Sequence, residues 1–344
     1  MANKKSNNNF RKIIKLTVAG LVGLFLLWLL WLFKFAGNLP KDITLKAPDN
    51  FWGVTYSKRF TSFLNLSWQE TYLAILDDLG VKNIRLPIYW QDVEPKEGVY
   101  DFSDYDWLLN EGAKRNAKFV LVIGRRLPRW PECHVPEWSK KYPESVNRDK
   151  ITALLTAIIN HYKDRDEIIA WQLENEPLLD SFGDCPKGDL AWLKQELKTV
   201  KQLDSRPIWL TASGELSDWQ NESKLADVFG TTMYRVVWGR LTGYTRWPIP
   251  EWYYQFKLKN VKRLPKNAVI AELQAEPWAP NTSLDKLPEK EANKSFDLKQ
   301  FKGNLQYAIN TGFNQTYLWG VEWWYLEKTQ GRGEFWEEAK KLNW

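Results

Sequence analysis

The sequence predicts an α/β protein, a (β/α)8 TIM barrel preceded by one N-terminal transmembrane helix. Three observations predict it. An uncharged apolar run lies near the start, eight strand-like runs then alternate with amphipathic stretches, and the longest aperiodic segments each follow a strand. The expected boundaries are a basic cytoplasmic tail over 1–15, a signal anchor over 16–36, a linker over 37–48 and one barrel domain over 49–344.

The anchor is read from LTVAGLVGLFLLWLLWLF, Leu16 to Phe33, which contains no charge. As a helix this run is about 27 Å long, close to the hydrocarbon core of a bilayer. Core helices seldom lack a polar face over such a length. A cleaved signal peptide has a shorter apolar core followed by small residues, whereas this run ends in Trp31, Phe33, Lys34 and Phe35. Lys4, Lys5, Arg11, Lys12 and Lys15 precede it, so the positive-inside rule leaves the N-terminus in the cytoplasm and the barrel outside, on a single-pass membrane protein. The first 36 residues hold six Lys and Arg and no acid, which accounts for the whole net charge of +6. The remainder is neutral and offers no basic stripe for nucleic acid.

The barrel elements follow in order. Phe51–Tyr56 reads as the first strand, and Tyr72, Ile75, Leu76 and Leu79 share one face of the next helix, which Gly80 stops. Asn83–Ile88 and Phe119–Ile123 are the second and third strands, and Ile151, Leu154, Leu155, Ile158, Ile159 and Tyr162 mark a helix after the third. Ile168–Leu173 leads to Asn175-Glu176-Pro177 and a helix over 190–203. The fifth strand runs from Pro207 into Thr211 and the sixth from Val228 to Met233, followed by a helix between Glu251 and Val261. Ala268–Ala271 runs into Glu272, Leu298, Phe301, Leu305 and Ile309 mark a helix, Thr316–Gly320 is the eighth strand, and a last helix holds Phe335, Trp336, Ala339 and Leu342. A doubly wound sheet is the alternative, but the turn after the first strand, Thr55-Tyr56-Ser57-Lys58-Arg59, lacks the glycines that cradle a phosphate. The segments 125–147, 235–250 and 274–295 would gather at the carboxyl face of a barrel, where barrel enzymes place their sites.

Glu176 and Glu272 thus each stand at a strand tip, on opposite sides of a barrel mouth. Cleaving a glycosidic bond with retention needs an acid for the leaving oxygen and a carboxylate about 5 Å away to attack the anomeric carbon. A single glutamate in such a place is usually a cap or an ion-pair partner; two together give it chemistry. Glu174, two residues before Glu176, would lie on the same side by strand alternation and is read as structural. Glu276, in a second Glu-Pro pair, is the alternative nucleophile should the strand run further.

Trp171-Gln172-Leu173-Glu174-Asn175-Glu176-Pro177, together with Asn83-Ile84-Arg85-Leu86-Pro87 and the strand-end Glu272, resembles the clan A glycoside hydrolases, the cellulase-like superfamily, from about Phe51 to the final helix. The resemblance implies a retaining hydrolase of poly- or oligosaccharides that needs no cofactor. It implies Glu176 as acid/base, Glu272 as nucleophile, Asn175 at the hydroxyl beside the anomeric carbon, Arg85 and Tyr234 as supports of the nucleophile, and Trp319 as an aromatic floor. The histidines usual in cellulases after the third and sixth strands are replaced by Gly124-Arg125-Arg126 and Met233-Tyr234-Arg235. Arg125, Arg126 and Arg235 are therefore candidates for binding an acidic or phosphorylated sugar, or simply ion-paired. A non-catalytic glycan-binding protein and a transglycosylase are the competing readings.

Eight tryptophans lie in or near strand-end loops (Trp90, Trp130, Trp138, Trp238, Trp247, Trp278, Trp323, Trp324), and three or four of them are expected to line a cleft. Two cysteines and two histidines exclude a disulfide-rich scaffold and a multi-histidine metal centre. Cys133 and Cys185 follow neighbouring strands and are expected to pair. His161 is expected to be solvated, and His134, in a Pro- and Trp-rich loop, is a candidate for sugar contact.

Overall fold

The structure, a computed structural model, describes residues 2–31, 39–40, 42–280 and 282–344, with side chains from Ile13 to Leu29 in the first helix. Eight parallel strands close a barrel: β1 (Trp52–Thr55), β2 (Asn83–Pro87), β3 (Lys118–Ile123), β4 (Ile168–Leu173), β5 (Ile208–Ala212), β6 (Val228–Met233), β9 (Asn267–Gln274) and β10 (Thr316–Trp319). Every predicted strand is present and in order. The segment 235–250 also forms an antiparallel hairpin, β7 (Val236–Gly239) and β8 (Gly243–Arg246), and a helix, Val321–Thr329, precedes the last helix, Glu334–Ala339. Neither was read from the sequence: the hairpin strands are four residues each and only partly buried, too short for a pattern to show.

Side chains alternate along the strands as a barrel requires. On β3, Phe119, Leu121 and Ile123 join the large cluster that receives the helices, while Val120 belongs to a separate cluster with Ala170, Trp209, Val228, Val269 and Tyr317, the apolar filling of the barrel. The helices are set by caps and by apolar faces. Asp189 accepts from the amides of Ala191 and Trp192 at the start of Leu190–Leu203, and Asp297 from that of Gln300 at the start of Leu298–Asn310. The helix Glu144–Tyr162 buries the six apolar residues that predicted it.

One irregularity aims the chemistry. Thr231 pairs with Ile270 but Thr232 with Glu272, so Ala271 is an extra residue in β9, and the same shift appears against β10. Val269 points into the barrel. Strict alternation would turn Glu272 outward, and the bulge turns it in.

The first helix runs from Ala2 to Trp31 and exposes Leu16, Val18, Leu21, Val22, Leu24, Phe25, Leu26, Leu27 and Trp28. Among the described residues no helix is long and apolar enough to cross a membrane. The anchor expected over 16–36 runs into residues outside the described ones, as does part of the linker expected over 37–48. The rest of that stretch is laid against the barrel. The amides of Thr44 and Leu45 donate to Gln306 Oε1 at 2.8 and 3.0 Å, and Leu45 and Ala47 pack on the core.

Gly320 follows β10 with φ +137°, and a Cβ there would stand 2.7 Å from both Ala275 O and Glu276 Cβ. Gly320→Ala is expected to cost about 2 kcal/mol or more of stability, read by chemical denaturation, because it adds strain to a conformation that only glycine adopts freely. An unchanged midpoint would show that the close approach of β9 and β10 does not depend on this glycine.

Candidate active site

The strand ends surround a cleft of about 890 Å³. Beneath it lies Arg85, fully buried on β2. Its Nη1 donates to Glu272 Oε1 at 2.8 Å, its Nε to Gln172 Oε1 at 2.7 Å and its Nη2 to Asn175 Oδ1 at 2.7 Å. Tyr234 donates its hydroxyl to Glu272 Oε2 at 2.8 Å. Both oxygens of Glu272 therefore accept hydrogen bonds, one of them from a cation.

Glu176 faces the same cleft under different conditions. Its Oε1 accepts from Thr232 Oγ1 at 3.1 Å, its amide donates to Thr211 Oγ1 at 2.9 Å, and among the described residues no cation bonds its carboxyl. Burial, then the charges of Glu272 and Glu132, push its carboxyl well above the usual range. Glu174 and Glu176 both have positive φ, 55° and 45°, so the expected alternation ends at Leu173. Glu174 instead accepts from the amides of Arg125 and Arg126 under the β3 loop, the structural role expected of it, but not from the same side as Glu176.

Of the predicted residues, Glu176, Glu272, Tyr234 and Trp319 line the cleft, while Arg85 and Asn175 lie under it. Trp319 is shared. Its Nε1 donates to Glu276 Oε1 at 2.8 Å, and the Arg129 guanidinium stacks 4.1 Å from its ring. Glu276 lies beyond the end of β9 at Gln274 and is ion-paired with Arg129, which also reaches Glu322 Oε2 at 2.8 Å. Four of the eight tryptophans, Trp130, Trp238, Trp247 and Trp278, line the cleft; Trp90, Trp323 and Trp324 are buried, and Trp138 packs edge-on against Trp90.

The arginines offered as sugar binders are all engaged elsewhere. Arg125 pairs with Glu144 at 2.8 Å, Arg126 bonds the carbonyls of Leu179 and Phe182, and Arg235 is buried against Tyr307. The cleft's arginines are Arg59 and Arg129, which the sequence reading did not single out. Cys133 and Cys185 form the expected disulfide between the loops after β3 and β4. His134 lines the cleft, buried and neutral, its ring pushed down to about 4 by burial and bonded to Arg129 O. His161 is half-exposed, but stacks on Phe102 and bonds Asp106 at 2.9 Å rather than water alone.

Two further glutamates line the cleft without any sequence signal beyond their long loops. Glu215 accepts from Tyr254 Oη and the Tyr234 amide, and burial lifts it to about 7. Glu132, beside Cys133, accepts from Asn175 Nδ2 at 3.2 Å and stands 3.5 Å from Arg126 Nε; burial, with the Glu272 charge, lifts it to about 8.

A closed barrel of eight parallel strands is the fold of the clan A glycoside hydrolases, and this chain has that fold. No family model matches the chain. It is 26% identical over 174 residues to the β-galactosidase BgaA of Clostridium cellulovorans, covering 44% of this chain and 26% of that one. It is also 26% identical over 164 residues to the β-galactosidase LacZ of Lactobacillus acidophilus, covering 41% of this chain and 24% of that one. The chain spans about a quarter of the length of these curated relatives. Among solved structures it is similar to the β-galactosidase from Rahnella sp. R3, with a TM-score of 0.60 at 14% identity over 89% of this chain and 56% of that one. The exo-β-1,4-mannosidase Op5Man5 from Opitutaceae bacterium strain TAV5 gives a TM-score of 0.55 at 16% identity, over 82% and 54%.

The proton held by Glu132 has a consequence for stability. The folded state raises its pKa from 4.5 to about 8, so between those values the fold binds more protons than the unfolded chain and loses stability as pH rises. Glu132→Gln removes that loss. The thermal midpoint of the variant relative to wild type is expected to climb steadily from pH 5 to pH 8, the raised carboxyls of Glu176 and Glu215 leaving a slope in both; a difference independent of pH would contradict it.

Proposed function

We propose that the protein is a retaining glycoside hydrolase that cleaves β-linked O-glycosidic bonds of an oligo- or polysaccharide by double displacement, with Glu176 as acid/base and Glu272 as nucleophile. One observation carries this reading: Glu176 and Glu272, at the ends of two strands, face one cleft, and among the described residues Glu272 accepts from a guanidinium and a phenol whereas Glu176 accepts from a hydroxyl. The β-linkage is carried over from the relatives, which are named β-galactosidases and an exo-β-1,4-mannosidase.

In the first step Glu272 attacks the anomeric carbon as the bond to the leaving oxygen breaks, and Glu176 gives that oxygen its proton. The ester formed on Glu272 carries no charge. The acidity of Glu176 then rises, so that as a carboxylate it takes a proton from water, whose oxygen attacks the same carbon and frees Glu272. Activity requires Glu176 protonated and Glu272 ionised together, and the raised pKa of Glu176 extends that window upward. The rate of the first step is expected to fall as pH rises through it.

On an activated aryl β-glycoside, Glu272→Ala is expected to lose about 10²–10⁴-fold or more, with azide restoring turnover to an α-glycosyl azide. Glu176→Ala is expected to keep the first step and, with azide, to give the β-azide. Wild-type activity in Glu272→Ala would remove the nucleophile assignment.

The chain is also proposed to be anchored in the cell membrane through the run Leu16–Phe33, N-terminus inside and barrel outside. Support comes from its uncharged sequence, the basic residues before it and the apolar side chains that the first helix leaves exposed. The full chain is expected to stay in the membrane pellet through an alkaline carbonate wash. Release into the supernatant would refute the anchor.

A further inference from the structure

The cleft is lined by five glutamates, Glu132, Glu176, Glu215, Glu272 and Glu276, against the arginines Arg59 and Arg129. Both arginines are already paired with carboxylates. Arg59 pairs with Asp92 at 2.6 Å, and Arg129 is divided between Glu276 and Glu322. Carboxyls outnumber guanidiniums, and among the described residues two oxygens in particular lack partners: Glu132 Oε1 makes no hydrogen bond, and Glu276 Oε2 is buried and unpartnered on a side chain more than nine-tenths buried.

Glu132 holds the place that matters. Asn175 was expected to meet the hydroxyl beside the anomeric carbon, but it is 1% exposed, its Oδ1 is taken by Arg85 and its Nδ2 donates to Glu132. Glu132, not Asn175, reaches the cleft wall there. Neutral hydroxyls are served well by amides and other hydroxyls. A buried carboxylate whose nearest cation stands 3.5 Å away, and which shares its surroundings with two further carboxyls, costs stability unless a positive charge arrives.

We propose that the substrate carries a protonated amine on the carbon next to the anomeric centre, a 2-amino-2-deoxy sugar, and that Glu132 receives the ammonium. This rests on the assignment of Glu272 and Glu176 for the position of the sugar. The ammonium supplies the positive charge that the protein withholds, and Glu132 is then ionised. An N-acetyl group at the same carbon is neutral and bulkier, and gains nothing from the carboxylate.

The test is calorimetric titration of the full chain in detergent with the methyl β-glycosides of glucosamine, N-acetylglucosamine and glucose and of their galacto epimers. In at least one epimeric series the amino glycoside is expected to bind about tenfold or more tightly than its neutral and N-acetyl counterparts, the scale of one charge-assisted hydrogen bond. Glu132→Gln should abolish most of that preference, and Glu132→Asp should keep part of it, with both variants melting cooperatively. Equal or tighter binding of the neutral or N-acetyl glycosides, no binding of any amino glycoside, or a preference unchanged in Glu132→Gln overturns the proposal. Turnover of the matching aryl glycosides separates this from the hydrolase reading. An amine preference in binding without turnover of any glycoside sinks only the latter, whereas turnover without an amine preference sinks only the former.

Discussion

A guanidinium with no solvent exposure must find its counter-charge within the fold, and Arg85 finds it in Glu272 at 2.8 Å. The rest of the site is arranged around that pair. Arg85 stands on β2 and Glu272 on β9, so the ion pair spans the barrel mouth, while Gln172 and Asn175 on the β4 side take the remaining donors of the fork. Removing the carboxylate would leave a buried cation, and removing the cation would leave a carboxylate beside Glu176 and Glu132 with only a phenol on it. The geometry thus resists loss of either partner, at the end of a strand whose bulge aims Glu272 inward.

The loop after β3 extends the same electrostatics upward. It brings Arg129, Glu132 and His134 to the cleft within six residues, and the Cys133–Cys185 disulfide ties it to the loop after β4. Cross-linking these loops limits the conformations in which Glu132 could swing away from its like-charged neighbours. Arg129 has a second function in the packing. Its guanidinium lies between the rings of Phe60 and Trp319, at 3.6 and 4.1 Å, so the aromatic floor is built on a cation that Glu276 and Glu322 neutralise.

Much of the fold was legible because a parallel strand buried on both faces reads as an apolar run, and the helices between them carry a 3.6-residue pattern. Glu176 and Glu272 were legible as residues at the ends of such runs. The hairpin at 236–246 was not, because four half-buried residues per strand carry no period. The inward turn of Glu272 was right for a reason that alternation does not contain, since one extra residue at Ala271 decides it. Glu132 and Arg129 were invisible for a related cause. They sit in an aperiodic loop, and their positions depend on φ values of 73° and 84°, on a disulfide partner 52 residues away and on neighbours from other strands. Arg125, Arg126 and Arg235 were chosen because they occupy the places of histidines, and side-chain direction then sent all three away from the cleft.

Left-handed backbone at residues other than glycine costs about 1–3 kcal/mol at each position, and four such residues, Arg129, Glu132, Glu174 and Glu176, surround one corner of the cleft. Three of them are also buried glutamates, so this corner concentrates strain and desolvated charge together. Neither improves the packing of the barrel, whose interior is closed below by Val120, Ala170, Trp209, Val228, Val269 and Tyr317 without their help. A fold gains nothing in stability from burying Glu132 and Glu176 where the charge of Glu272 raises the pKa of both. What the arrangement does gain is a difference between Glu176 and Glu272. Beyond the strained turn at 174–176 the Glu176 carboxyl meets the Thr232 hydroxyl, while Arg85 bonds Glu272, so two glutamates of the same intrinsic acidity come to stand in different electrostatic surroundings.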